Sequence, residues 1–465
     1  MSYDILSTST DSRPIHFVGI AGAGMSALAE LFARRGAVVT GCDSNPATAR
    51  ADLARLGIAV MEGHSPSHVI GVRAVIYTSA MSRDHPELVA AREAGIPLIR
   101  RAEALGAVVA SGDVVGIAGT HGKTTTTVMT TTALRSAGLE PTGIAGGRVA
   151  EWDGNMTFGS DRLFVVEADE YDRSFLALDP AIAVVTNVEA DHLDIYADLA
   201  DIRATFSQYL ARARAVVLCS DDAGANSLEL PATAEIIRYG LDSTDARLVA
   251  RDVRAVDGGS VFSVWYDGKR ECEARLRVPG LHNVRNALAA IGSGIALGVQ
   301  PAKLVPGLEE FSGVERRFQR IGDVAGVAIV DDYAHHPTEI SATIEAARGA
   351  FPGRRLVLAF QPHLYTRTRD FATEFGRALS GADAIFLTEL YPAREQPIAG
   401  VSSELIERAI RDAGGSLLWR GERAALADAL SAEVRSGDVV ITVGAGDITR
   451  TARELRDILT RMPTT

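Results

Sequence analysis

One stretch of this chain, from Val114 to Thr127, constrains the fold more than any other. An apolar, β-branched run typical of a buried strand leads into the loop Gly119-Thr120-His121-Gly122-Lys123-Thr124-Thr125, and a helical pattern follows. Glycines let several backbone N–H groups approach one anion, and the helix N-terminus adds partial positive charge. The lysine suits β- and γ-phosphates, and the threonine hydroxyl suits Mg²⁺. The stretch therefore predicts a nucleotide triphosphate site, although Ile117 stands where the Walker pattern has glycine.

The order of strand, glycine turn and helix occurs twice more, at residues 15–26 and 439–447. Strand-like and helical segments alternate along most of the chain, which favours an α/β fold with mostly parallel sheets. A chain of 465 residues is too long for a single core. We predict three domains, at residues 1–112, 113–318 and 319–465.

The first glycine turn predicts a second nucleotide site. Gly22-x-Gly24-x-x-Ala27 fits the dinucleotide fingerprint, and Asp43 ends the next predicted strand, where an acid can hold a ribose hydroxyl. Any diphosphate nucleotide would satisfy this turn, so NAD and a UDP-sugar both remain possible ligands. His64 and Ser79 follow later predicted strands and are expected to line the same crevice.

Acids and a histidine follow two further predicted strands. Glu167-Ala168-Asp169-Glu170 comes directly after residues 163–166, and His192 follows the strand at residues 182–185. Neighbouring carboxylates repel one another unless a cation neutralises them, and Mg²⁺ takes carboxylate and phosphate oxygens together. We therefore predict Glu167 as a magnesium ligand beside ATP and His192 as the ligand of a second metal ion.

Composition excludes several classes of partner. A net charge of −12 argues against a nucleic-acid binder with a basic surface. Cys42, Cys219 and Cys272 are far apart without a C-x-x-C pair, which argues against a disulfide scaffold or a zinc site and fits a reducing compartment. No signal peptide and no long apolar segment is apparent, so we expect a cytoplasmic protein without a membrane partner.

Together these motifs resemble the Mur ligase family over nearly the whole chain. The resemblance rests on Gly19–Ser26, Gly119–Thr125, Glu167–Glu170, Thr186-Asn187 with Asp191-His192, His282-Asn283 with Asn286, Arg316-Arg317, Asp331–Tyr333 with His335–Pro337, and Gln361–His363. It implies a three-domain architecture with a Rossmann-like N-terminal domain for a UDP-sugar, a P-loop-type central ATPase domain, and a Rossmann-like C-terminal domain for an amino acid.

The resemblance also implies an activity. It is ATP-dependent, Mg²⁺-requiring ligation of L-alanine to UDP-N-acetylmuramate through an acyl phosphate, the first peptide-adding step of peptidoglycan synthesis, on which cell wall, cell shape and cell division depend. The partners would be these three small molecules, and we expect a monomer or weak dimer.

The resemblance assigns roles to individual residues. The catalytic residues would be Lys123, His335 and Arg367. The ATP-binding residues would be Gly119, Thr120, His121, Gly122, Lys123, Thr124, Thr125, Asn286, Arg317 and Asp332. The UDP-sugar-binding residues would be Gly22, Gly24, Met25, Ser26, Asp43, His64 and Ser79. The metal ligands would be Thr124, Glu167 and His192. Leu364 departs from the family, since many members carry arginine there.

Three other functions stay open from the sequence. A ligase of the same family that recycles a whole tripeptide would share nearly all of these motifs. An NAD-dependent oxidoreductase would use the first glycine turn but leave the loop around Lys123 and the acid clusters without a role. A nucleotide sensor would bind without catalysis.

Overall fold

The computed structural model describes residues 4–6, 11–48, 50–79, 81–241, 243–393 and 395–461. The chain divides into two compact units. The first comprises Met1–Val249, Val264–Cys272 and Arg285–Leu308, and the second comprises Ala250–Ser263, Glu273–Val284 and Glu309–Thr465. The domain limits at residues 112 and 318 stay a prediction.

The first unit begins with a five-stranded parallel sheet. Its strands are β1 (Ile15–Val18), β2 (Val39–Asp43), β3 (Ala59–Glu62), β4 (Ala74–Tyr77) and β5 (Leu98–Arg100). Its helices are α1 (Ala23–Arg34), α2 (Arg50–Arg55), α3 (Pro86–Glu93) and α4 (Arg101–Val109). The spatial order is β3-β2-β1-β4-β5, so the direction of winding reverses between β1 and β4. Nucleotides bind at the carboxyl ends of strands at such a reversal.

A larger sheet of ten strands follows, and seven of its strands lie in the same unit. They are β6 (Asp113–Ala118), β7 (Thr142–Val149), β8 (Gly154–Thr157), β9 (Leu163–Glu167), β10 (Ile182–Val185), β11 (Ala215–Cys219) and β12 (Glu235–Gly240). Strand β6 is central and pairs in parallel with β9 on one side and β10 on the other. The loops after β6, β9 and β10 therefore meet at one edge of the sheet.

Further elements complete the middle of the chain. The helices before residue 230 are α5 (Lys123–Ser136), α6 (Leu199–Leu210) and α7 (Ala223–Asn226). They are followed by β13 (Leu248–Val256), β14 (Gly259–Tyr266), β15 (Lys269–Leu276), α8 (Leu281–Ala296) and α9 (Pro301–Glu310). One continuous hydrophobic cluster includes residues of both sheets of the first unit and of their helices, among them Phe17 of β1, Phe32 of α1, Phe164 of β9 and Phe206 of α6.

The second unit contains a six-stranded sheet. Its strands are β16 (Gln319–Val324), β17 (Val327–Asp332), β18 (Leu356–Phe360), β19 (Ala384–Thr388), β20 (Leu417–Gly421) and β21 (Val439–Val443), in the order β16-β17-β21-β18-β19-β20. Only the pairing of β16 with β17 is antiparallel among the pairs described. The helices are α10 (Pro337–Ala350), α11 (Tyr365–Leu379), α12 (Glu404–Asp412), α13 (Arg423–Glu433) and α14 (Thr449–Arg461).

Alternating residues of this sheet enter two separate hydrophobic clusters. Ile329 and Val440 belong to one cluster, whereas their strand neighbours Val330 and Ile441 belong to the other. Successive side chains of a strand point to opposite faces, so helices cover both faces of the sheet. The predicted α/β fold with mostly parallel sheets is confirmed. Within the described ranges, no helix combines the length and apolarity that a bilayer crossing requires.

Candidate active site

The glycine loop between β6 and α5 is closely packed. Gly122 directly precedes α5 with φ of 80°, and a Cβ atom there would lie 2.7 Å from Oδ1 of Asn286. Gly119 has φ of 135°, and a Cβ atom there would overlap the hydroxyl of Thr186. Left-handed backbone and close approach both require glycine at these two positions. The predicted loop residues Gly119–Thr125 thus surround the N-terminus of a 14-residue helix.

The loop after β10 fixes this glycine loop. Asn187 accepts a hydrogen bond from the His121 N–H at 2.8 Å and donates one to the His121 carbonyl at 3.1 Å. Thr186 donates to the same carbonyl at 2.6 Å. The Thr120 hydroxyl accepts the N–H of Glu189 at 2.9 Å. These bonds set the backbone conformation of His121 and Thr120. The glycine loop, called the phosphate loop below, is therefore shaped by the segment that follows β10.

Lys123 lies inside this loop with 13% of its side chain exposed. Its Nζ donates to the carbonyls of Gly119 and Thr120 at 2.7 and 3.1 Å and to Oε1 of Glu170 at 2.9 Å. Burial alone would lower the pKa of Lys123, but Glu170, Asp169 and Glu167 together outweigh it and raise the pKa. Burial raises the pKa of Glu170 to about 7, and Lys123 only partly offsets this. The site therefore keeps a buried cation where a phosphate would be held.

The predicted metal ligands fall into two groups. The Thr124 hydroxyl donates to Oε1 of Glu167 at 3.1 Å, and the other oxygen of Glu167 accepts the Gly146 N–H at 2.6 Å. A hydroxyl and a carboxylate oxygen side by side at a phosphate loop fit Mg²⁺, which prefers oxygen ligands. His192 instead lies beside Glu170, with Nε2 3.7 Å from Oε1. The arrangement fits one metal ion between Thr124 and Glu167. An ion bound by His192 would lie at a different place, beside Glu170.

Asn286, the residue expected to touch adenine, is buried in α8. The helix begins at Leu281, so Asn286 lies in its second turn. Its amide side chain packs against Gly122. The structure therefore brings this residue to the phosphate loop from a position more than 150 residues further along the chain.

The first glycine turn follows β1, at the reversal of winding between β1 and β4. Gly22 directly precedes α1, and Asp43 accepts the N–H groups of Ala21 and Asn45 at 3.0 and 2.9 Å. Asp43 therefore shapes the turn that a nucleotide would contact. Arg101 lies against Gly24, since its Nη1 is 3.0 Å from the position of a Cβ atom there.

The other residues predicted for the UDP-sugar differ in exposure. The side chain of Met25 is 3% exposed and packs in the core, so only its backbone is available to a ligand. Ser26 donates its hydroxyl to the Ala23 carbonyl at 3.0 Å. Ser79 is exposed after β4, and the side chain of His64 is 22% exposed.

The residues from position 316 onward that were predicted to bind ATP or the amino acid lie in the second unit. Asp332, at the end of β17, accepts the N–H groups of Phe318 and Ala334 at 2.8 and 2.7 Å. Burial raises the pKa of Asp332 to about 6, against the opposing effect of Arg317. The Arg317 guanidinium lies 5.0 Å from the centre of the Tyr333 ring.

Two more of these residues, His335 and Arg367, follow strands β17 and β18 of the same sheet. Nδ1 of His335 lies 2.9 Å from the Tyr333 carbonyl, and its backbone N–H donates to Glu339 at 2.9 Å. Arg367 is buried in the first turn of α11. Leu364, directly before that helix, has φ of 71°, a conformation that non-glycine residues rarely adopt.

The sequence did not predict the contacts of four residues that the structure connects to these sites. They are Arg101, Glu170, Asn187 and Glu339. Glu170 and Asn187 stand in motifs quoted above. Their partners Lys123 and His121 follow a different strand, β6, and the pairs meet only because β6 lies between β9 and β10. Glu339, three residues after His336, matches the spacing of a helix capping box, and this signal was available.

Comparisons with known proteins agree with this arrangement. Residues 14–112 match the family model "Mur ligase family, catalytic domain", residues 117–294 match "Mur ligase middle domain", and residues 316–446 match "Mur ligase, glutamate ligase domain". UDP-N-acetylmuramate–L-alanine ligase of Acidothermus cellulolyticus is 44% identical over 438 residues, which cover 93% of this chain and 91% of that protein.

Two solved structures are similar over almost their full length. UDP-N-acetylmuramate–alanine ligase of Thermotoga maritima has a TM-score of 0.81 and 30% identity, covering 96% of this chain and 98% of the other. A murein peptide ligase of Psychrobacter arcticus has a TM-score of 0.70 and 25% identity, covering 97% and 99%.

Proposed function

Because this chain belongs to the Mur ligase family, we propose that it joins L-alanine to UDP-N-acetylmuramate with ATP as the energy source. The observation that carries the proposal is the phosphate loop in which Lys123 is held between loop carbonyls and Glu170, in a chain similar from end to end to an alanine-adding ligase. Peptidoglycan precursor synthesis is the corresponding process, and a cytoplasmic location is part of the proposal.

The first step activates a carboxylate. A carboxylate does not react with an amine at neutral pH, because oxide would have to leave. An oxygen of the lactyl carboxylate attacks the γ-phosphorus, the bond to the ADP oxygen breaks, and an acyl phosphate forms. Both reactants are anions, so Lys123 and the loop N–H groups lower the barrier by neutralising them. Thr124 and Glu167 would hold Mg²⁺, which supplies further positive charge.

The second step forms the amide. The amine of L-alanine attacks the acyl carbon, the bond to phosphate oxygen breaks, inorganic phosphate leaves, and the amine loses a proton. His335 is our candidate for the proton acceptor. The Tyr333 carbonyl can only accept a hydrogen bond, so Nδ1 of His335 carries hydrogen and Nε2 is the basic nitrogen. Arg367 would bind the alanine carboxylate.

The remaining assignments complete the proposal. The UDP-sugar would bind at the first glycine turn, against Gly22, Gly24, the backbone of Met25, Ser26, Asp43, His64 and Ser79. ATP would bind against Gly119–Thr125, Asn286, Arg317 and Asp332. The chain would act as a monomer or weak dimer.

Phosphate release tests the activity directly. The full chain is mixed with ATP, Mg²⁺ and UDP-N-acetylmuramate, and the second substrate is varied. We expect rapid phosphate release with L-alanine and none without the sugar nucleotide. Release with a tripeptide in place of L-alanine would assign the chain to recycling, and release that needs neither substrate would overturn ligation.

Arg367→Ala tests the amino-acid site. We expect the KM for L-alanine to rise by about 100-fold, since a charged hydrogen-bonding group is removed, while the KM for ATP stays near that of the wild type. Arg369→Ala is the matched control, because Arg369 is exposed on the same helix. A change confined to the KM for ATP would show that Arg367 is misplaced.

A further inference from the structure

We propose that a zinc ion binds in the first unit to His16, Cys42, His68 and Glu87. One ligand atom of each residue lies within 4.8 Å of the other three. The residues come from β1, from β2, from the short helical turn Pro66–Val69 and from the first turn of α3. The sequence argued against a zinc site because no cysteines are paired. The donors of this site are instead brought together from four separate segments, which cysteine spacing cannot reveal.

The carboxylate of Glu87 lies at the centre of the cluster. Its two oxygens are 3.2 and 3.0 Å from Sγ of Cys42. Nδ1 of His68 lies 2.6 Å from Oε1, and Nε2 of His16 lies 4.0 Å from Oε2. One thiol and two imidazole nitrogens therefore converge on one carboxylate.

His16 is prepared to act as a ligand. Its side chain is fully buried, and Nδ1 lies 3.0 Å from the hydroxyl of Thr40. Among the residues that the structure describes, Nε2 of His16 has no hydrogen-bond partner. A buried nitrogen without a partner is costly, and a metal ion would satisfy it while Thr40 holds the ring in place.

The donor set is chemically specific. One thiolate, two imidazole nitrogens and one carboxylate are typical ligands of tetrahedral zinc, whereas Mg²⁺ prefers oxygen ligands alone. Zinc bond lengths of about 2.0–2.3 Å separate tetrahedral donors by roughly 3.3–3.8 Å, so the most distant donors must approach by only about 1 Å. Zinc replaces the proton of the Cys42 thiol, and the ion with one thiolate and one carboxylate is then neutral.

Four protein ligands leave no open position, which makes this a structural site. The ion would join two strands of the first sheet to the turn after β3 and to α3. His64 lies at the rim, with Nδ1 3.3 Å from Sγ of Cys42 and its ring 4.5 Å from that of His85. Because the His64 side chain is 22% exposed, this rim is the route by which the ion enters.

Cobalt absorption tests the site without any assay of activity. The full chain is treated with a chelator, placed in excess Mg²⁺ and titrated with Co²⁺. We expect one Co²⁺ per chain, with a near-ultraviolet thiolate-to-cobalt band and the strong visible bands of tetrahedral cobalt. Magnesium sites contain no sulfur, so the ultraviolet band reports a cysteine ligand. Added Zn²⁺ should remove both bands.

Variants identify which cysteine binds. Cys42→Ser should lose the ultraviolet band, and Cys219→Ser and Cys272→Ser should keep it. His16→Gln should weaken cobalt binding at least tenfold and leave circular dichroism unchanged. The proposal is wrong if the wild-type chain shows no thiolate band, which does not depend on any variant folding, or if Cys42→Ser retains that band.

Discussion

Lys123 and Glu170 illustrate how single residues set the chemistry of the phosphate loop. Both side chains are buried, and they are within hydrogen-bonding distance of each other. An isolated buried charge is strongly unfavourable, so the pair is what allows a lysine to stay charged inside the loop. The carbonyls of Gly119 and Thr120 direct the ammonium group further. Glu170 thus keeps Lys123 charged, and the two carbonyls fix the position of its ammonium group.

Lys123→Ala should lower the rate of ATP-dependent phosphate release by roughly 1000-fold, the effect of removing a group that stabilises transition-state charge. The fold should survive, because Glu170 already has a pKa of about 7 and can take up a proton when its partner is removed. Steady-state kinetics and circular dichroism measure the two effects. Lys303→Ala, at an exposed position on α9, is the control. Substantial activity in Lys123→Ala would contradict the loop assignment.

Asp332 predicts a pH dependence of stability. Its pKa is about 6 in the folded chain and near 3.8 when unfolded, so between these values the folded chain binds more protons. Its contribution to the free energy of unfolding therefore decreases as pH rises from about 4 to 6, by up to about 3 kcal/mol.

Urea unfolding of the wild type and of Asp332→Asn measures this contribution. The wild-type free energy minus that of the variant should fall as pH rises through this window. The same comparison with Asp323→Asn, at an exposed position, is the control. A flat difference for Asp332→Asn would show that burial does not shift this carboxyl.

At the scale of elements, the start of α5 is the most constrained point of the candidate site. Strand β6 is paired on both sides. Its neighbour β9 ends at Glu167, and its neighbour β10 is followed by the loop that carries Asn187. Helix α8 adds Asn286 against Gly122. A helix N-terminus in contact with three other elements leaves little freedom for the phosphate loop.

Gly122→Ala should raise the KM for ATP by at least tenfold, because the new Cβ atom displaces Asn286. Gly138→Ala is a matched control at the other end of α5. Gly138 has φ of 88°, close to the 80° of Gly122, but a Cβ atom there meets no atom within 4 Å. Both variants should lose about 1 kcal/mol of stability from backbone strain. Equal effects on ATP binding would show that the contact with Asn286 is unimportant.

Much of this element-level picture was predictable from sequence. The β-branched run before Gly119 and the helix after Lys123 are local patterns, and the structure has β6 and α5 in those places. The bonds from Asn187 to His121 were not predictable, because they depend on which strand lies beside β6. The proposed zinc ligands around Glu87 were not predictable from the sequence for the same reason. Local patterns identify elements, and side-chain pairing between elements requires the order of strands.

At the scale of the whole molecule, the two units differ in how their cores are built. Both hydrophobic clusters that cover the six-stranded sheet consist of residues from 318 onward. The first unit has a small cluster around Val18 and Leu88, but its larger cluster continues from the first sheet into the second, through buried residues up to 228. A segment that contains its whole core can fold alone, and a segment that shares its core cannot bury it alone.

The fragment 319–465 should therefore unfold cooperatively when produced alone, and the fragment 1–112 should not. Without residues 113–228, the shorter fragment would expose side chains such as Leu105 and Val109 that belong to the shared cluster. Thermal unfolding followed by circular dichroism distinguishes the two fragments. A sharp transition for 1–112 would place a domain boundary where the sequence predicted one.

The contact between Gly122 and Asn286 also has a consequence for synthesis on the ribosome. The loop leaves the exit tunnel long before Asn187, and Asn286 emerges later still. A nascent chain consequently carries the lysine of the proposed ATP site well before the loop around it is enclosed. A product that terminates before Asn286 lacks the side chain that packs against Gly122, and its phosphate loop stays unfinished.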